Sequence, residues 1–423
     1  MIAIRLDLPM ASISRRTALA ALLTTAPMLL AGCDLGRTAI TPGAASATPS
    51  GVKTGSPAAS PAVASVGSLG SGEFGPTGKH WPSRTPAPTD TFDFTVEVNP
   101  TWAAIADGIK QAIARAPKGK TRVLVKPGVL PGFGAGSSKP PVQKGVGKTG
   151  LPYRVLVMPR DGVGTVTFAD SLRFDLVAGV SFVGFWLFPN SMVLSGVQDF
   201  AWAWSKGQAF NISSNSAVVT SDVELVECVT ADARLIDADT WAFRTGGQPY
   251  INVSVVGCYL APSYKAAGSS AHCDTLQLSG NEAKTGLVFR DTVIFSSTNA
   301  GFIPSGGADD VLFDHCLFVG GDRMLVRYPL PAGANAFTSG YPAAINGVGS
   351  VDVMSATNST FIGNVRGTFK SVQNTKVSAT KPPAATSGSF TSDPSLSSID
   401  AAWLESRSPM PSDDRLRAAW AAV

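Results

Sequence analysis

A right-handed parallel β-helix is the fold this sequence predicts, and three observations predict it. First, four segments superimpose without a gap: Val223-Glu224-Leu225-Val226-Glu227-Cys228-Val229, Val253–Leu260, Leu287–Ile294 and Val311–Phe318, with a weaker copy at Met354–Phe361. Each alternates in polarity, breaks at a two-residue corner and resumes as a second apolar run, which reads as strand, corner, strand. Second, another short strand precedes each copy, at Trp241-Ala242-Phe243, Leu276-Gln277-Leu278, Gly301-Phe302-Ile303 and Ala344-Ile345. Third, no helical period separates the copies, and loops absorb their irregular spacing. Three strands per repeat that cannot bury their apolar faces alone must stack coil upon coil.

Composition agrees. Of 423 residues, 44% are apolar and only 15% charged, enough for a large core, while 43 Gly and 30 Pro supply many turns. A net charge of +4 gives no basic stripe, so no nucleic-acid partner is expected.

The chain opens with Arg15-Arg16 ahead of a short apolar run that stops at Leu30-Ala31-Gly32-Cys33. The paired arginines resemble a twin-arginine export signal, and Leu-Ala-Gly-Cys resembles a bacterial lipobox. The resemblance implies lipidation at Cys33 and a partner membrane: an exported protein anchored on the outer face of the bacterial cytoplasmic membrane. Residues 34–78 are rich in Ala, Ser, Thr, Pro and Gly. A chain of that composition spans roughly 35 Å as a coil and reads as a flexible tether. The expected organisation is a signal over 1–33, the linker over 34–78, a β-helix domain over 79–378 and a C-terminal tail over 379–423.

After Asn99-Pro100-Thr101, the residues Trp102, Ile105, Ile109 and Ile113 recur at helical spacing until Pro117-Lys118-Gly119. The spacing predicts an amphipathic helix that covers the open end of the solenoid. Strands follow at Val123–Lys126 and Val155–Met158. In the tail, Ile399, Ala402, Trp403, Leu416 and Trp420 predict two short helices over the last coil.

Taken together, the capping helix, the repeats and the run His272-Cys273-Asp274-Thr275-Leu276-Gln277 make residues 120–378 resemble the pectin-lyase-like superfamily. The resemblance implies a groove that takes a polysaccharide along the outer face of the stacked strands. It carries no complete reaction signature: the Asn-Thr-Asp, Gly-His-Gly and Arg-Ile-Lys runs of polygalacturonases are absent.

The corner column reads Cys228, Cys258, Thr292, Cys316 and Ser359, small side chains suited to an internal ladder. These cysteines are expected to be free buried thiols, because the paired spacings of zinc sites are missing. His315 falls in the outward corner column with Glu227, Gly257, Asp291 and Asn358 and reads as surface structure.

Aligning Phe243, Leu278, Ile303 and Ile345 as inward residues turns Arg244, Gln277 and Phe302 outward. Extending the column through Asp322–Arg327 as a strand adds Arg323 and Arg327 to the same face. Four residues upstream stand Asp239, Asp274, Asn299 and Asp322. With coils about 5 Å apart, Asp274 and Asp322 fall about 10 Å apart, the range of carboxylate pairs that flank a glycosidic bond. Asp239 taken alone reads as turn chemistry.

The catalytic candidates are therefore His272, Asp274 and Asp322, and the substrate-binding candidates are Gln277, Arg323, Arg327, Arg244, Lys265 and Tyr264. Asp274 is expected to face solvent. Two classes stay open: a glycoside hydrolase or polysaccharide lyase acting on an acidic polysaccharide, and a non-catalytic glycan-binding or structural β-helix lipoprotein. No cofactor is expected, apart from calcium if the reaction is a lyase's.

Overall fold

A computed structural model describes residues 73–421 except 137, 338 and 339. Arg15-Arg16, Cys33 and the tether as far as residue 72 lie outside the described residues.

The gapless alignment is the observed register. Val223 pairs with Val253, Val253 with Leu287, Leu287 with Val311 and Val311 with Met354, all in parallel. These second strands of each coil form a stack that starts at Phe94–Val98 and ends at Ala385–Gly388. First strands stack likewise through Ala209–Ser213, Trp241–Arg244, Asp274–Ser279, Ala300–Pro304 and the start of Ala343–Thr357. Third strands stack through Tyr259–Leu260, Val293–Phe295, Leu317–Val319, Thr360–Ile362, Lys376–Val377 and Thr391–Ser392. The result is a parallel β-helix. Its last coil reaches Ser392, so the solenoid outruns the 378 boundary by one turn.

The corner between second and third strands repeats one solution. Glu227, Asp291, His315 and Asn358 hold φ between 50° and 53°, a left-handed turn that Asn, Asp and His tolerate better than most side chains. The next residue points inward and ties three coils together. Cys258 Sγ accepts the Cys228 N–H at 3.3 Å and contacts the carbonyls of Leu225 and Val256, while Ser359 Oγ does the same for Cys316 N–H at 3.0 Å. Ser205, in register with Cys228, and Thr375, below Ser359, extend the ladder beyond the predicted column. Cys228, Cys258, Cys273 and Cys316 are free and buried.

The helix spans Trp102–Arg115 and is capped by the Thr101 side chain, which accepts from the Ala104 N–H. It buries Trp102, Ile105, Ile109 and Ala112 against the first coils, whereas Ile113 stays only partly covered.

Two cores result. One fills the solenoid. The other lies outside it, because the third strands, such as Val293-Ile294-Phe295 and Leu317-Phe318-Val319, are apolar on both faces and need cover on both. Helices Ala401–Arg407 and Asp413–Ala419 supply that cover. Leu404, Leu416 and Trp420 pack on Val229, Tyr259, Val293 and Leu317, and Trp420 meets Trp186 edge-on at 6.1 Å. The tail therefore runs along the flank of the rod and does not sit over its last coil. Trp403, expected inside, is only half-buried.

The folded part also includes residues assigned to the tether. Phe74 is buried against the His315 ring at 4.5 Å, Gly75 donates to the Asp291 carbonyl and Gly78 to Glu227 Oε2. Residues 73–85 form a strap across the corner column.

Candidate functional site

The site is built where first strands enter their stack. Asp274 opens its strand fully buried, which corrects the expectation that it faces solvent. Its backbone N–H donates to Asp239 Oδ1 at 3.0 Å. Its own Oδ1 accepts from Asn299 Nδ2 at 2.6 Å, and its Oδ2 lies 2.9 Å from His272 Nδ1. Burial pushes the Asp274 carboxyl up to about 6, against the opposing pull of the Asn299 hydrogen bond and of His272. Asp239 is raised by burial too, partly offset by the Asp274 N–H and by Arg244, whose Nη2 stands 3.3 Å away. His272 and Arg244 reach solvent, with 55% and 60% of their side chains exposed.

The loop that carries His272 is fixed at several points. Ser263 N–H donates to Ser297 Oγ, Lys265 N–H to Thr298 Oγ1 and Ala266 N–H to Asp237 Oδ1. Thr275 is fully buried and its hydroxyl donates to the Phe295 carbonyl. A buried carboxylate thus lies beside Nδ1 of an imidazole that is more than half exposed, a charge pairing suited to proton transfer, while Asp274 Oδ2 itself accepts no hydrogen bond.

Gln277 is where the alternation puts it, on the outer face, in register with Ala242 and Ile303. Arg244 is exposed beside Asp239. Lys265 is half-buried in the His272 loop, close enough to lower the Cys273 thiol against the stronger upward effect of burial.

Four candidates lie elsewhere. Tyr264 is fully buried in the outer core, where its hydroxyl donates to the Tyr328 carbonyl at 2.6 Å, so it offers nothing to a ligand. Residues Gly321–Val326 form a 3-10 helix in a long excursion between coils, and the first strand that follows Ala300–Pro304 is Ala343 onward. Asp322 therefore leaves the Asp274 column and forms a two-point ion pair with Arg323, which holds its carboxyl below the usual range. Arg323 also donates to the Ile399 carbonyl. Arg327 faces the C-terminal helices, with its guanidinium on Tyr259 Oη, the Ser408 carbonyl and Glu405. A further register correction concerns Ala300–Pro304: Gln277 pairs with Ile303 and Leu278 with Pro304. Phe302 is the inward residue, edge-on to Phe313 at 5.1 Å, and Ile303 points out. A one-residue slip exchanges the two faces.

Sequence reasoning also left Asp239 out of the site, although it is the acceptor that fixes the Asp274 backbone. Its position one coil before Asp274, in the same column as Asp274 and Asn299, was the available signal. Among the described residues no group of three or more His, Cys, Asp or Glu side chains is placed to hold a metal ion.

No protein-family model matches the chain, and no curated protein does. Several solved structures are similar. An alginate lyase of family PL6, AlyGC, superimposes with a TM-score of 0.40 at 10% identity over 67% of this chain. This chain spans 38% of that lyase's length. The catalytic domain of a GH87 α-1,3-glucanase, in complex with tetrasaccharides, gives 0.29 at 12% identity, covering 61% of this chain and 54% of that one. The A-module of the Azotobacter vinelandii mannuronan C-5 epimerase AlgE6 gives 0.23 at 11% identity, covering 69% and 92%.

Proposed function

We propose that the chain is a carbohydrate-active protein that works on an acidic polysaccharide laid along the outer face of the first-strand stack, as a polysaccharide lyase. The observation that carries the reading is an exposed His272 whose Nδ1 lies 2.9 Å from the fully buried carboxyl of Asp274. Elimination at a uronate needs one base to take the proton next to the carboxylate and positive charge to offset the enolate that forms. His272 Nε2 is that base, and the proton it takes passes on to the glycosidic oxygen that departs as the C4–O bond breaks and the C4–C5 double bond forms. Asp274 positions the ring, Arg244 and Lys265 supply the positive charge, and Gln277 offers hydrogen bonds on the face between them. Hydrolysis would require a second carboxylate across the scissile bond. Asp322 is committed to Arg323, and only 5% of the Asp239 side chain is exposed.

The test is a panel of uronate polymers assayed for absorbance from unsaturated uronate and for saturated reducing ends. Unsaturated product that His272→Ala abolishes supports the reading. Saturated ends alone would make the protein a hydrolase, and binding with neither product a glycan-binding module.

We also propose that lipidation of Cys33 follows export and holds the chain on the outer face of the membrane. Fractionation of Cys33→Ala should move the protein from the membrane to the soluble exported fraction; a cytosolic wild-type protein would overturn the proposal.

A further inference from the structure

A cavity of about 520 Å³ lies on a different face, between the strap and the outer side of the second-strand stack. Its volume is within the range of small-ligand pockets. The floor consists of neighbouring outward positions on three coils, Glu224 beside Ser254 and Val226 beside Val256 and Arg290. The strap closes one end with Trp81. That indole spends its Nε1–H on the Thr85 carbonyl and meets Trp204 edge-on at 5.4 Å, so it presents only apolar ring surface to the cavity.

The polar groups divide into those already spent and those still free. His80 sits between Glu227 and Asp291, Arg84 pairs with Asp199, and Arg154 pairs with Asp199 and Glu224. These ion pairs cancel one another and leave no surplus of positive charge. The free groups are the two terminal nitrogens of Arg290, whose Nε is on Asp314, the Ser254 hydroxyl, the Asn252 carbonyl oxygen and one Asp222 oxygen. Donors and acceptors thus alternate beside an aromatic ring and an apolar strip. Hydroxyl groups, each both donor and acceptor, complement such a wall, whereas a carboxylate would meet Asp222 beside an Arg290 whose charge Asp314 already offsets.

We propose that this cavity binds a short neutral saccharide, stacked on Trp81 and hydrogen-bonded to Arg290, Ser254, Asn252 and Asp222. It is a second site, independent of the proton-transfer pair at His272 and Asp274, and it gives the protein a hold on a glycan other than the acidic chain in the groove.

The test is calorimetric titration of the full chain with cellotriose, maltotriose, laminaritriose, mannotriose, chitotriose and trigalacturonate. One neutral trisaccharide should bind saturably. Arg290→Ala should weaken it by about tenfold, as expected for loss of a charge-assisted hydrogen bond. Ser254→Phe should abolish binding by filling the floor from a side chain that points away from the core, and circular dichroism will establish that this variant is folded. Asp274→Asn should leave the affinity unchanged. Failure of every neutral trisaccharide, tighter binding of trigalacturonate than of any neutral one in Asp274→Asn, or insensitivity to both cavity substitutions would overturn the proposal. Loss of binding in Asp274→Asn would overturn it as well, by placing the ligand in the groove.

Discussion

His80 Nδ1 lies 2.5 Å from Oε1 of Glu227, a carboxylate with no exposed surface, and its Nε2 lies 3.0 Å from Asp291. Burial disfavours the imidazolium, but the hydrogen bonds and charges of Asp291 and Glu227 outweigh it and raise His80 to about 9. Because the folded value exceeds the unfolded one, this stabilisation is complete below about pH 6.5 and fades as pH rises through about 9. Melting temperature should fall across that window in the wild type. His80→Gln should lower it at pH 6 and flatten the dependence, and equal slopes in both proteins would contradict the clamp.

At Asp274 the sign is opposite. Its raised carboxyl means that the folded state holds a proton more tightly than the unfolded chain, so the group costs stability above about pH 6 and the cost is relieved as pH falls toward 4. Asp274→Asn should therefore melt no lower than the wild type at pH 8. Turnover should still drop by about 100-fold or more, since the ring of His272 loses its orienting charge. In the wild type, turnover should decline as pH falls through about 6. Unchanged product formation would remove Asp274 from the site.

The inward ladder predicts unequal tolerance at Cys258. A serine keeps an acceptor for the Cys228 N–H and a donor for the carbonyls, as Ser359 does one corner below Cys316, so Cys258→Ser should cost under about 1 kcal/mol. Cys258→Ala strands that buried N–H and should cost about 1–3 kcal/mol in denaturant titration. Thiol reagents should reach Cys228, Cys258 and Cys316 only after unfolding.

Gly257 occupies the corner at φ 63°, and a Cβ there would overlap His80 Nδ1. Gly257→Ala should destabilise the fold by about 1–3 kcal/mol, through backbone strain and displacement of the strap. Limited proteolysis should then cut first within residues 73–85.

Arg327 and Arg244 should separate structure from function. Arg327→Ala removes contacts to Tyr259, Ser408 and Glu405 and should lower melting temperature with little change in affinity for a uronate polymer. Arg244→Ala should do the reverse, and its effect should grow at low salt, where charge attraction is least screened. The opposite pattern would return Arg327 to the groove.

The stacked strands were legible because Val223, Val253, Leu287 and Val311 repeat with a corner residue at a constant offset, a period that survives without any long-range information. The Phe302 register was not, because Phe302 and Ile303 are both apolar and only the neighbouring rings of Phe289 and Phe313 decide between them. Met324-Leu325-Val326 looks like a strand by composition, yet Gly320 and Gly321 start a 3-10 turn whose Met324 is buried in the outer core. Tyr264 and Arg327 were read as groove residues because their true partners, Tyr328 and the C-terminal helices, lie 64 and about 80 positions downstream. His272 and Asp274 were legible as a local pair. The burial that sets their chemistry depends on Asp239 and Asn299 from adjacent coils.

The strap joins the C-terminal segment on the flank of the rod: the Glu73 and Phe74 N–H groups both donate to the Arg407 carbonyl. Tension that arrives through the chain ahead of Glu73 therefore meets the solenoid broadside. The first contacts such a load meets are the Phe74 stack, the Gly75 and Gly78 hydrogen bonds and the His80 clamp, spread over corners Glu227 to His315. A pull on an end strand would instead peel coils singly. The chain ahead of Glu73 thus enters the rod at its side, across several of its coils, and not through a terminal strand.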